Sequence, residues 1–172
     1  MSEWEFWSAD RRFGLRVNEQ AAARLLQFSV CSDRKETGGI LVGFYLEAMD
    51  CALVTAVSGP PADSQCTKTW FARGVRGLQL WLERLWRTKG NYYLGEWHAH
   101  PGAVAVPSPR DIEQMRQIAS SEPYRCPEPV LLIIGGDLRT SHDVGAFVFP
   151  HGEGPIELVR SQPRFSGDLT LI

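Results

Sequence analysis

The chain has 172 residues, a length that suits one ordinary domain spanning 1–172. Hydrophobic residues at 44% and charged residues at 22% are the proportions of a folded globular protein, and they exclude a disordered or collagen-like chain. The formal charge of -2 lacks the basic excess of a nucleic-acid binder, and no apolar run is long enough to cross a bilayer.

The opening segment MSEWEFWSADRR has no basic start followed by an apolar stretch, so no secretion signal is expected and the location is read as cytoplasmic. Cys31, Cys51, Cys66 and Cys126 lie far apart with no C-x-x-C pair. Reduced, mostly buried thiols and no cysteine metal site are the expectation.

In chain order, residues 18–28 read as a helix capped by Asn18. Strands follow over 40–46 and 52–57, the second ending at Gly59-Pro60-Pro61, and a third over 67–72. An amphipathic helix is expected over 75–86. Val75, Leu78, Trp81, Leu82, Leu85 and Trp86 would form its core stripe, with Leu80 pointing away from it. Next come a strand over 92–100, stopped by Pro101-Gly102, and a helix over 108–119. Strands over 130–134, 144–149 and 156–159 close the chain. Several strands lie too close together for βαβ crossovers. The expected class is therefore α/β of the α+β type, a mixed, partly antiparallel sheet with helices packed on it.

The most informative segment is GEWHAHPGAVAVPSPRD, residues 95–111. Side chains two apart on a strand share a face, so His98 and His100 present two imidazoles with Cα atoms roughly 6–7 Å apart. That separation suits a shared zinc ion, although a catalytic site usually takes three protein ligands. Asp111 is the natural third, provided the loop after Pro101 folds back. The competing structural reading is that H-x-H is two half-buried histidines and that Ser108-Pro109-Arg110-Asp111 is a helix start. Ser108 would then be the N-cap, Pro109 the first helical residue and Asp111 the acid of a capping box. The two readings are compatible, because a capped helix also fixes both side chains. Other zinc patterns, phosphate loops and serine-hydrolase elbows are absent. A metal-activated water needs a proton acceptor. Two glutamates compete for that role: Glu96, on the histidine face by period-two counting, and Glu36, just before Gly38-Gly39. Spacing alone favours Glu96 and does not decide.

Glu36-Thr37-Gly38-Gly39-Ile40-Leu41-Val42-Gly43, then His98-Ala99-His100-Pro101, then Pro107-Ser108 and Asp111, resemble the JAMM (JAB/MPN) metalloproteases. Their pattern is a glutamate, then H-x-H-P, then a serine with an aspartate three residues later. Ala99 stands where Ser or Thr is usual, a departure that touches no ligand, and the likeness runs from about residue 10 to residue 150. The resemblance implies that His98, His100 and Asp111 bind one zinc ion with water as the fourth ligand. It also implies that Glu36, not Glu96, is the general acid/base and that Ser108 hydrogen-bonds the tetrahedral intermediate. Members of the family cleave bonds after the C-terminal glycine of ubiquitin or ubiquitin-like proteins.

The stretch from Phe71-Ala72-Arg73-Gly74 to Gly95-Glu96-Trp97-His98 is most similar to a bacterial branch encoded in antiphage operons beside E1- and E2-like enzymes, including CBASS type II. There the conjugated C-terminus belongs to a cGAS-like nucleotidyltransferase, and the protease reverses the conjugation. The implied partners are thus a ubiquitin-like modifier or another conjugated protein C-terminus, the product of E1/E2-like enzymes, with no nucleic acid and no membrane. A modifier tail is expected to add as a strand to a sheet edge at 67–73, where Thr67, Trp70, Phe71 and Arg73 are the candidate contacts. Arg73 and Arg76 would either meet acidic groups on the partner or stay solvated. The alternatives are a non-catalytic, zinc-stabilised interaction module and a peptidase that trims a small sulfur-carrier protein. His142, His151 and the tail after Pro163 have no assigned role.

Overall fold

A computed structural model of the chain describes residues 3–32, 34–46 and 50–161. The strands are β1 (Trp4–Trp7), β2 (Gly14–Val17), β3 (Thr37–Tyr45), β4 (Cys51–Val57), β5 (Gln65–Cys66), β6 (Phe71–Ala72), β7 (Tyr92–Pro101), β8 (Val130–Asp137), β9 (Ser141–Val148) and β10 (Ile156–Arg160). The helices are α1 (Glu19–Val30), α2 (Leu78–Lys89) and α3 (Pro109–Ser120), with a short 3-10 turn at Glu122–Tyr124. Eight of the strands close into a barrel in the order β1-β10-β9-β8-β7-β3-β4-β2. Most pairs are antiparallel, while β7 with β8 and β2 with β4 are parallel. The β7–β8 crossover contains α3, and this places the start of that helix near the C-terminal end of β7.

Alternation along the strands divides the core into two clusters. Leu41, Leu94, Trp97, Ala99, Leu132 and Ile134 face one of them, where α1 adds Ala21, Ala22 and Leu25. Ile40, Val42, Tyr93, Leu131 and Ile133 face the other, where α3 adds Met115 and Ile118. Asn18 caps α1 as the sequence indicates, its side chain accepting the Ala21 N–H at 2.8 Å. A bulge in the β3–β7 ladder, where Leu41 pairs with Gly95 but Val42 pairs with Tyr93, turns Tyr93 to the same side as Glu96.

Four expectations are corrected. Residues 67–72 are not a third strand of the main sheet. They span the turn and second strand of a separate two-stranded hairpin, β5–β6, whose ladder is two residue pairs, Gln65 with Ala72 and Cys66 with Phe71. Helix α2 begins at Leu78, not at 75, since Gly77 precedes it in the left-handed conformation (φ 80°). Its apolar stripe is also narrower than the periodicity suggests. Leu78, Trp81, Leu82 and Leu85 are half-buried against the second cluster, whereas Val75 and Trp86 are 67% and 61% exposed. The thiols divide evenly: Cys51 and Cys126 are buried, Cys31 and Cys66 exposed, and all four are free.

Strands β1 and β2 leave no legible pattern in the sequence. Each is four residues long, too short for alternation to show before partners are known. The tail after Pro163 lies outside the described residues. No helix among the described residues is long and apolar enough to cross a membrane.

Candidate active site

His98 and His100 project from β7 on the face opposite Trp97 and Ala99, and both are buried. The loop after Pro101 does fold back. The Ala103 N–H donates to the His100 carbonyl at 3.1 Å, the Gly102 N–H to the Gly136 carbonyl at 2.9 Å, and the Gly136 N–H to the Ala103 carbonyl at 2.7 Å. This return loop lies flat on two glycines of neighbouring strands. A Cβ on Gly135 would stand 2.6 Å from the Ala103 carbonyl oxygen, and one on Gly145 would collide with the Ala105 carbonyl oxygen.

The loop delivers the chain to the N-terminus of α3, where the capping box is complete. Ser108 Oγ accepts the Asp111 N–H at 3.2 Å, and Asp111 Oδ2 accepts the Ser108 N–H at 2.8 Å, with Pro109 as the first helical residue. Asp111 Oδ1 meets His98 Nδ1 at 2.8 Å, and Oδ2 lies 3.7 Å from His100 Nε2. Burial pushes the Asp111 carboxyl up, but the hydrogen bond and charge of His98 together with the Ser108 contacts outweigh it and hold the group at about 2. Burial keeps His100 below its ordinary value and the His98 charge adds to this, while Asp111 opposes it; the neutral imidazole a metal requires is thereby favoured.

The donor set passes a direct test of fit to a metal. One ligand atom from each of His98, His100 and Asp111 falls within 4.8 Å of the others. An ionised carboxylate can only accept, so in the neutral form of His98 that a metal ligand requires the proton sits on Nδ1. His98 Nε2 is then left with a lone pair, buried and without any hydrogen-bond partner. A buried acceptor with no donor is costly, and a cation is the partner it lacks.

Glu36 enters from the start of β3, one residue before Thr37, which pairs with Ala99 between the two histidines. It is half-buried, and its backbone N–H donates to the Thr67 carbonyl at 2.9 Å. Burial raises its carboxyl pKa above the ordinary range and the negative Asp111 adds to this, while His98 and Arg110 pull the other way. Gly38, two residues on, lets β3 and the hairpin close on the site. A Cβ there would stand 2.8 Å from both the His98 ring and Phe71.

Glu96, which spacing alone favours as the base, is fully buried with both carboxylate oxygens engaged: Tyr93 O–H donates to Oε1 at 2.9 Å and Arg73 Nε to Oε2 at 2.7 Å. The expectation for Arg73 is corrected accordingly. Its side chain is 8% exposed and paired inward, neither solvated nor presented to a partner. Phe71 is likewise buried, its ring edge-on to His98 with centroids 5.7 Å apart. Thr67 lies exposed in the hairpin turn, and Trp70 is half-buried beneath the Arg110 guanidinium, 4.6 Å from the ring centroid. Sequence reasoning missed the Arg73–Glu96 pair. A glutamate on a strand face that must be buried requires a cation, and that was the available signal.

This arrangement is that of a metal-assisted hydrolase: a His-His-Asp group between β7 and the start of α3, a raised carboxyl at the start of β3, and a helix N-terminus beside it. Residues 18–148 match the family model described as prokaryotic homologs of the JAB domain, and the chain belongs to that family. It is a JAMM-type metalloprotease. It is 44% identical over 140 residues, 81% of this chain and 75% of the relative, to a CD-NTase/cGAS isopeptidase of Enterobacter hormaechei subsp. hoffmannii. It is 31% identical over 104 residues, 59% of this chain, to a probable metalloprotease of Sinorhizobium fredii, of which the match spans 63%. The solution structure of a protein from Desulfitobacterium hafniense superposes with a TM-score of 0.61 at 22% identity, over 82% of this chain and 87% of that one, which supports the fold.

Proposed function

We propose that the chain, one domain throughout, is a zinc-dependent isopeptidase acting in the cytoplasm. Its substrate is the bond that joins the C-terminus of a CD-NTase (cGAS-like nucleotidyltransferase), or of a ubiquitin-like modifier, to a target protein, a product of E1/E2-like enzymes in an antiphage system of the CBASS type. The observation that carries this reading is the 44% identity to a CD-NTase/cGAS isopeptidase over 81% of a chain that keeps a complete His98-His100-Asp111 group.

Two imidazoles and a carboxylate form a donor set suited to one zinc ion per chain. When bound, the metal would supply Lewis acidity to the scissile carbonyl and make water a stronger acid. The remaining work belongs to the protein. Glu36, its pKa raised by burial, takes the proton of the attacking water and returns it to the leaving amine of the target lysine. Ser108 Oγ accepts the Asp111 N–H and so keeps its own O–H free to donate to the oxyanion of the tetrahedral intermediate. The first turn of α3 adds the positive end of its dipole on the same side. Thr67 and Trp70 of the hairpin flank the approach to Glu36 and are the substrate contacts in this reading. Phe71 contributes by packing on His98.

The test is cleavage of a CD-NTase conjugated through its C-terminus to a target lysine, set beside a linear CD-NTase fusion. The zinc-loaded chain should release the CD-NTase from the lysine conjugate. Glu36→Ala should bind zinc and stay folded, with cleavage reduced by a factor of about 100 or more. Cleavage of the conjugate at an unaltered rate by Glu36→Ala would remove Glu36 from the mechanism.

A further inference from the structure

The loop that carries the β5–β6 hairpin touches every element that supplies the site, yet its own ladder is only two residue pairs long. The Thr67 carbonyl receives the Glu36 N–H, Phe71 lies edge-on to His98, and Trp70 lies under Arg110, the neighbour of Asp111. At its base the loop is closed on itself. Asp63 carboxylate oxygens accept the Val75 and Arg76 N–H groups at 3.1 and 3.0 Å, and Ser64 Oγ accepts the Gly74 N–H at 2.9 Å. A self-closed loop of this kind still has to be fixed to the barrel.

Arg73 adds a buried, charged attachment to these contacts. Its Nε donates to Glu96 Oε2 at 2.7 Å, Nη1 to the Gly74 carbonyl at 2.9 Å and Nη2 to Tyr124 O–H at 3.1 Å, while Tyr93 O–H fills the other oxygen of Glu96. All three guanidinium nitrogens and both carboxylate oxygens are used. Glu96 lies on β7 two residues before His98, so the pair ties the hairpin to the strand that presents the histidines. A buried ion pair gains little stability over apolar residues of the same size, but breaking one side of it is costly. Such a pair is suited to fixing a position more than to adding stability.

We propose that Arg73 and Glu96 are positioning residues: their buried ion pair holds the β5–β6 hairpin against Glu36 and His98 in the geometry that turnover requires. The inference rests on the isopeptidase reading above and concerns residues outside the ligand set.

The experiment compares wild type with Arg73→Met/Glu96→Gln, which removes both charges at similar volume, and with Arg73→Lys, which keeps the charge. Amide hydrogen exchange is followed in the metal-free proteins, and zinc content, kcat and KM are measured in the zinc-loaded ones on the conjugate. The double variant should fold and hold zinc at wild-type stoichiometry. Its exchange should be about tenfold faster over 65–72 and unchanged in β7 and β8. Its kcat/KM should fall by a factor of about 10 to 100, the cost of a small misplacement of reacting groups. Arg73→Lys should recover most of both losses. Wild-type exchange over 65–72 with kcat/KM within about twofold would overturn the proposal, and so would faster exchange spread evenly over the barrel. If the double variant does not fold, Glu96→Gln alone carries the same comparison, with the same direction expected and the same null result decisive. A wild-type chain that cleaves nothing would count against the isopeptidase reading, while the exchange of 65–72 would still decide the role of the pair.

Discussion

Asp111 works at two scales of distance at once, closing the capping box of α3 and approaching both histidines. Substitution separates the two roles. Asp111→Asn keeps an oxygen that can accept the Ser108 N–H but loses the charge. It should lose on the order of 2–3 kcal/mol of stability at neutral pH, the worth of the lowered carboxyl pKa, and should also lose metal. Ser108→Ala should cost about 1 kcal/mol, the scale of a helix cap, but leave metal content intact, with cleavage reduced about 10- to 1,000-fold through loss of the oxyanion donor. The carboxyl also predicts a pH effect. Its folded pKa of about 2 lies below the value of about 3.9 in an unfolded chain. It therefore contributes stability that is complete above about pH 4 and lost as pH falls through 2. Urea midpoints of the metal-free protein should fall over that window, and less steeply in Asp111→Asn. The thiols give an independent check on burial. Burial holds Cys51 at about 11 and Cys126 at about 12, so a thiol reagent at mildly alkaline pH should modify Cys31 and Cys66 in the folded chain and spare the other two. Residues of this kind were legible in part. Alternation put His98 and His100 on one face, and helix-start chemistry located Ser108 and Asp111. The same alternation made Glu96 look available, because a spacing rule counts faces and does not see a buried arginine from a separate loop.

At the scale of elements, the decisive one is the return loop between β7 and α3. Whether it folded back could not be read from the sequence, since the answer depends on Gly135 of β8 and Gly145 of β9, both distant from the loop in sequence. Gly135→Ala places a methyl group against the Ala103 carbonyl, a backbone atom that cannot rotate away. We expect a stability loss of about 1–3 kcal/mol and weaker metal binding, measured by urea unfolding and metal titration. Retention of wild-type metal affinity would show that the loop tolerates displacement without moving Asp111. The hairpin illustrates why edges are hard to read. The stretch TKTWFAR has strand-like composition, yet its pairing partner is the short segment at Gln65–Cys66 and not the barrel. Helix α2 illustrates the same limit. Its periodicity is clear, but it lies over the margin of the second cluster and buries no residue fully, so Trp86 rests beside Tyr92 at the surface.

For the molecule as a whole, the mixed sheet and its packed helices were legible from strand spacing. Closure into a barrel was not, because it depends on β1 pairing with both β2 and β10, the two ends of the described chain meeting. Neither apolar cluster includes His98, His100 or Asp111, so metal should be dispensable for folding. A chelator should abolish cleavage yet leave a cooperative unfolding transition, lowered only by the loss of ligand-linked stabilisation. The zinc-stabilised interaction module predicts the reverse, a sharp loss of structure on chelation. The most direct measurement is the metal content of the wild-type chain beside His98→Ala and Asp111→Asn, all purified without chelators and checked for folding. About one zinc ion per wild-type chain, lost from both folded variants, is the result predicted for three ligands at one catalytic centre. A folded wild type that carries no zinc and takes up none when it is offered would contradict the account.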